Sequence, residues 1–210
     1  MKTSIISRKA LLAVSYTTGK DKTRYYLNGV YVEVTARHVT YVATDGHLLL
    51  ACRSVIAKDA PDNTLIGSFI IPNETLGNRS LKGDKLSNDL VTITGESTTD
   101  QLTIDNTLLF KPIGGTFPDY RYIIPTTTDG VTAVFNPEYL VKAQKAFKLM
   151  CYSDDGLFDI GYNGTGFALL TRQGCDLFGV VMPIRSSDAE LPSWFNDKDE
   201  TESLEQACAA

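Results

Sequence analysis

The chain is poor in the residues from which most reactive centres are built. It has two histidines and four cysteines among 210 residues, and Cys52, Cys151, Cys175 and Cys208 lie far apart with no Cys-x-x-Cys pair. That spacing excludes the familiar zinc patterns and implies free thiols in a reducing compartment. No apolar run approaches the roughly 18 residues of a membrane span. The opening segment MKTSIISRKALLAV holds no apolar stretch long enough for a secretory signal. A cytoplasmic protein without membrane contact is therefore expected. The runs Gly161–Gly166 and Gly114-Gly115 precede no helix bearing Lys-Ser/Thr, so they read as turns rather than phosphate loops. Asp45 and His47 flank a glycine, with no nucleophile in a recognisable arrangement. They read as a turn aspartate and a structural histidine, and no catalytic residue, metal or cofactor is expected.

What is present is a globular composition, 43% hydrophobic and 10% aromatic, able to bury a core. The net charge of −5 argues against a nucleic-acid partner only until its distribution is seen. Of 25 acidic and 20 basic residues, seven acids and one lysine follow Ser186, leaving a body of 19 cations and 18 anions. Such a body can still carry a basic face.

Short β-branched and aromatic runs dominate. Tyr25–Leu27, Val30–Val34, Val39–Ala43 and Leu48–Ala51 read as strands, with Asn28-Gly29 and Asp45-Gly46 as tight turns. Before them, Ser7 is placed to cap a helix over Arg8–Tyr16. A second unit, 66–125, reads as a strand at Ser68–Ile71 and a weak helical stretch Asn73–Leu81. Strands near Leu90–Thr94, Gln101–Ile104 and Leu108–Lys111 complete it. A third, 129–185, reads as a strand at Val131–Phe135 and a helix capped by Asn136 with Pro137 in its first turn. Strands at Leu157–Tyr162, Phe167–Thr171 and Leu177–Met182 follow. Three units near 60 residues each imply an α+β repeat architecture. The third helix puts Leu140, Ala143 and Phe147 on one face and Lys142, Lys145 and Lys148 mainly on the other. Those lysines are either a solvated surface or a set of phosphate contacts without base-reading groups.

Arg24–Gly29 followed by Val42–His47 (VATDGH) resembles the second domain of the bacterial DNA polymerase III beta sliding clamp. Phe117–Arg121 with Ile124-Pro125 is similar to the end of that domain, and Val180–Arg185 (VVMPIR) to the extreme C-terminus of the clamp. The resemblance implies a DNA clamp fold of three βαβββ units, with sheets outside and helices lining a ring. It divides the chain into a full clamp domain over 1–126 (units 1–57 and 66–125), a half-domain over 127–186 and an acidic tail over 187–210. The family protomer has six such units, so this chain resembles a shortened, phage- or mobile-element-like version.

The function implied is a processivity factor that encircles duplex DNA and tethers a replicative polymerase. The alternative is a clamp-like decoy that binds replication proteins without encircling DNA. By resemblance, partner peptides dock at Leu27, Thr44, Gly46, His47, Leu48, Leu49, Pro118, Tyr122, Ile123, Val180, Val181, Met182 and Pro183. Leu48 stands where the family usually has arginine. DNA contacts are expected from Lys20, Lys22 and Arg24 in the loop before the tyrosine pair. Others are expected from Lys142, Lys145 and Lys148, and from Arg8, Lys9, Arg79 and Lys82 in or near the other lining helices. The family ring has twelve units, so three per chain predicts a homotetramer closed by isologous contacts. A clamp loader is a further candidate partner. In the tail, Glu190–Phe195 (ELPSWF) loosely resembles a clamp-binding peptide, leaving a competing segment or a solubilising tail as readings.

Overall fold

The computed structural model describes residues 1–56, 63–78, 81, 89–124, 133–151, 155–162 and 166–184. It begins with β1 (Lys2–Ser7), α1 (Arg8–Ser15), a 3-10 turn at Tyr25–Leu27, β2 (Gly29–Val34), β3 (His38–Thr44) and β4 (Leu48–Val55). There follow β5 (Gly67–Pro72), α2 (Asn73–Leu76), β6 (Leu90–Gly95), β7 (Leu102–Ile104), β8 (Leu108–Phe110) and a 3-10 turn at Tyr120–Ile123. The last elements are α3 (Pro137–Met150), β9 (Asp159–Gly161), β10 (Ala168–Thr171) and β11 (Leu177–Val181).

Two sheets form, one of four strands in the order β1-β6-β7-β8 and one of seven in the order β5-β2-β3-β4-β11-β10-β9. The first strand of each of the first two units leaves its own sheet and joins the other's. β1 runs antiparallel to β6, and β5 antiparallel to β2. The third unit joins through β11, which pairs with β4 from Leu177↔Cys52 to Val181↔Leu48.

The caps are satisfied as their residue types demand. The Ser7 hydroxyl accepts the Ala10 N–H at 3.1 Å. Asp89 accepts the Lys9 N–H at 2.7 Å from 80 residues away and the Ser7 hydroxyl at 3.0 Å from 82. Asn136 accepts the Glu138 N–H at 3.0 Å, with Pro137 in the first turn of α3.

Three expectations are corrected. Tyr25–Leu27 is a 3-10 turn, not a strand: the Leu27 N–H donates to Arg24 O at 2.9 Å and Gly19 N–H takes the Leu27 carbonyl at 2.8 Å. Asn28-Gly29 makes no hairpin. Gly29 opens β2 opposite Pro72, and glycine is required there because a Cβ would strike the Ile71 carbonyl oxygen. A strand at Lys2–Ser7 was not expected; its alternation is hidden because Ser4 is buried while Ile5 is half exposed. Of the expected strand at Val131–Phe135, Val131 and Thr132 lie outside the described residues, and Val134 bridges to Ile184.

Strand alternation sorts the seven-stranded sheet into two faces. One face packs under α1 and α3, which lie beside each other, and buries Val30, Tyr41, Leu48, Leu50, Phe147 and Val181. Tyr41 is fully buried, and its hydroxyl accepts the Ser7 N–H at 2.7 Å and bonds Ser54 at 3.1 Å. Burial pushes its ionisation far up, so it stays a neutral pin. The opposite face carries Leu27, Val42, Leu49, Ala51, Ile70 and Val180 under Phe117 and Tyr120.

Candidate functional site

On the outer face, Leu49 stands opposite Val180 across the β4–β11 seam, and both are 2% exposed. Leu27 and the half-buried Ile123 belong to the same apolar cluster. Around it the backbone presents exposed groups. Tyr122 is 88% exposed, Pro118 and His47 are exposed, and Met182 is 39% exposed. Thr44 lies opposite Leu49 in the β3–β4 register, and its hydroxyl accepts the Gly46 N–H at 3.0 Å. The Met182 N–H donates to His47 O at 2.9 Å, which brings the end of β11 and Pro183 to the Asp45–His47 turn.

Leu48 and Val181 are a correction. Both are fully buried on the face under α1 and α3. A one-residue step along a strand reverses side-chain direction, so neither shares a face with Leu49 and Val180.

The Asp45–His47 turn is tied to α3 as well. Lys142 Nζ donates to Asp45 Oδ2 at 2.7 Å, and Asp45 Oδ1 accepts the His47 and Leu48 N–H groups at 3.0 Å each. Burial works against ionisation of Asp45, but the Lys142 hydrogen bond and the two backbone donors outweigh it and hold the carboxyl below its ordinary range. The His47 ring stacks on Tyr139 at 5.5 Å and 10°, and the Lys142 ammonium lies 5.3 Å from the same ring. Asp45 therefore engages the backbone of His47, not its imidazole, and no acid–base pair forms. Gly46 has φ +94°, and the Arg24 guanidinium covers it where a side chain would stand. Arg24 also pairs with Asp21 at 3.3 Å. The Thr23 N–H, then Arg24, lower the Asp21 carboxyl.

The expected cations divide. Lys20, Lys22, Lys145 and Lys148 are exposed. Lys142 is held by Asp45, and Arg8 pairs with Asp105 at 3.4 Å. Lys9 is half-buried, its backbone N–H bound by Asp89. Arg79 and Lys82 lie outside the described residues.

Sequence reasoning missed a cavity of about 360 Å³ beside the apolar cluster. Tyr31, Ser68, Ile70, Ile113 and Phe117 help to line it, and it touches none of the expected peptide residues. Tyr31 and Phe117 stack at 4.9 Å and 16° along one wall. A phenylalanine 86 positions beyond a strand tyrosine carries no local signal of that contact. Among the described residues no group of three or more His, Cys, Asp or Glu side chains is placed to hold a metal ion. No helix among them is long and apolar enough to cross a membrane.

Interlocked strand–helix–strand units, with helices on one face of a continuous sheet, define a DNA clamp fold. The chain belongs to the family described as DNA polymerase III beta subunit, central domain, whose model matches residues 4–119. It is 29% identical over 122 residues to the beta sliding clamp of Escherichia coli K12, covering 58% of this chain and 32% of that protein. It is 30% identical over 119 residues to the beta sliding clamp of Rickettsia bellii, covering 56% and 31%. The chain thus spans about a third of these relatives. Among solved structures, the DNA polymerase III beta chain of Streptococcus pneumoniae superposes with a TM-score of 0.70 at 16% identity, covering 89% of this chain and 65% of that one. A sliding clamp from Bartonella birtlesii bound to griselimycin gives 0.65 at 20% identity, covering 88% and 66%. The structural likeness takes in more of the chain than the family match, and so includes part of the third unit.

Proposed function

We propose that the chain is a subunit of a ring that encircles duplex DNA and tethers a polymerase by a peptide docked on its outer face. The observation that carries this is the β4–β11 seam, which sets Leu49 beside Val180 on one face and places α1 against α3 on the other. An apolar cluster edged by a few polar groups suits the aliphatic and aromatic anchors of an extended peptide. The residues proposed for it are Leu27, Thr44, Gly46, His47, Leu49, Pro118, Tyr122, Ile123, Val180, Met182 and Pro183.

The helix face supplies the second half of the reading. Exposed Lys145 and Lys148 on α3, with Lys9 on α1, offer point charges to phosphates and no base-reading groups. Lys20 and Lys22 add contacts from the loop after α1. Arg8, Arg24 and Lys142 each also face a carboxylate. Nothing in this mode of action requires a cofactor or a chemical step.

The ring itself follows from counting. Three units per chain reach twelve with four chains, divided as a full domain over 1–126 and a half-domain over 127–186. The pairing of β1 with β6 and of β5 with β2 supports reading the first two units as a completed pair. Strand β9, the last of its sheet, lacks such a neighbour among the described residues and would receive one from a second copy. A loader that opens this ring is a partner consistent with the same reading.

The test is topological. Protein bound to a covalently closed plasmid should co-elute with it in moderate salt and be lost when the plasmid is linearised, and its solution mass should match four chains. Equal loss from circular and linear DNA would overturn the encircling role and favour a decoy that only binds replication proteins.

A further inference from the structure

We propose that Cys151 and Cys175 are a redox modification site that closes to a disulfide when a low-molecular-weight disulfide of the glutathione class reaches the protein. Cys151 caps the C-terminus of α3, its N–H donating to Phe147 O at 2.8 Å. Cys175 lies in the turn between β10 and β11, its N–H donating to Arg172 O at 3.1 Å. The two Sγ atoms are 2.6 Å apart across 24 residues of sequence, and both side chains are partly exposed. A disulfide needs about 2.05 Å, so closure asks for a shift of roughly half an ångström. Cys52 differs in kind: it is 2% exposed and its sulfur faces Ala10 O at 3.8 Å. Cys151 follows Lys148 by three positions and feels the charge of Lys9, but the thiol chemistry does not depend on the DNA or peptide roles proposed above.

Burial, with the hydrogen bond to Cys175, pushes the Cys151 thiol up to about 12, so Cys151 is slow to form thiolate. Cys175, in the turn between β10 and β11, opens the reaction. Its thiolate attacks one sulfur of the reagent, the reagent S–S bond breaks, and one thiol leaves with the Cys175 proton. Cys151 then attacks the Cys175 sulfur of the mixed disulfide, and the second thiol leaves with the Cys151 proton. Two protein thiols are oxidised and one reagent disulfide is reduced to two thiols.

The bond would fasten the last turn of α3 to the approach of β11, whose far side pairs with β4. By closing a short loop in the unfolded chain it should raise the melting temperature by roughly 5–10 °C. Full-length protein incubated with glutathione disulfide at mildly alkaline pH should lose the mass of two hydrogens. Peptide mapping should show Cys151 joined to Cys175, and dithiothreitol should reverse both mass and melting shift. Cys151→Ser, a conservative change at a partly exposed site, should instead retain a glutathione adduct on Cys175. An unchanged mass, a lasting adduct on Cys175 of the unsubstituted protein, or a cross-link to Cys52 or Cys208 would overturn the proposal.

Discussion

Replacing Asp45 with Asn and Lys142 with Met, singly and together, isolates the ion pair that ties the first hairpin to α3. The Nζ–Oδ2 distance is 2.7 Å, with the lysine and aspartate side chains 35% and 16% exposed. Exposed pairs contribute 1 kcal/mol or less and single removals from buried pairs cost about 3–5, so this half-covered pair should couple at about 1–1.5 kcal/mol. Asp45→Asn keeps an acceptor for the His47 and Leu48 N–H groups and should cost about 1–2 kcal/mol. Asp45→Ala leaves both donors without it and should cost about 2–3 kcal/mol. Urea unfolding of the four proteins at pH 7 gives the coupling directly. The pH trend is an independent check. A carboxyl lowered in the folded state stabilises fully above its unfolded pKa near 4, and that contribution is lost as pH falls through the folded value. The cost of Asp45→Asn should therefore shrink between pH 6 and pH 3. A coupling below about 0.3 kcal/mol, or a cost that grows on acidification, would refute the reasoning.

Four further outcomes are expected. Gly29→Ala should destabilise by about 2–3 kcal/mol in urea, because its Cβ meets the Ile71 carbonyl and the Ile70 side chain; a change under about 0.5 would show that the β2–β5 approach relaxes freely. Lys145→Gln should leave the melting temperature in place while lowering the salt dependence of DNA binding by about one ion, read by titration at several salt concentrations. Tyr122→Ala, at an 88% exposed site, should weaken binding of a fluorescent clamp-binding peptide several-fold without altering stability. Deleting residues 187–210 should strengthen that same binding if the ELPSWF segment competes, and unchanged affinity would dispose of competition.

Helices with chemical start signals were legible in advance. Ser7, and Asn136 followed by Pro137, fixed the starts of α1 and α3, since a cap is a local hydrogen bond that the sequence spells out. The family motifs were legible too, and they led to the fold that the comparisons bear out. What escaped depends on distant partners. Tyr25–Leu27 has strand-forming side chains, yet Gly19 takes the Leu27 carbonyl and a turn wins. Lys2–Ser7 becomes a strand only because β6 lies beside it. Leu48 and Leu49 looked equivalent as pocket residues until pairing with Val181 and Val180 set their faces apart. Lys142 read as a free cation because nothing in its neighbourhood announces Asp45, 97 positions earlier.

The exchange of β1 into the second sheet bears on how the chain is made. Lys2–Ser7 is synthesised well before its partner, since its ladder runs from Lys2↔Gly95 to Ser7↔Leu90. Strand β2 likewise waits for Gly67–Pro72. The nascent N-terminal half cannot lock vectorially, and such non-local pairing slows closure and leaves strand edges open during synthesis.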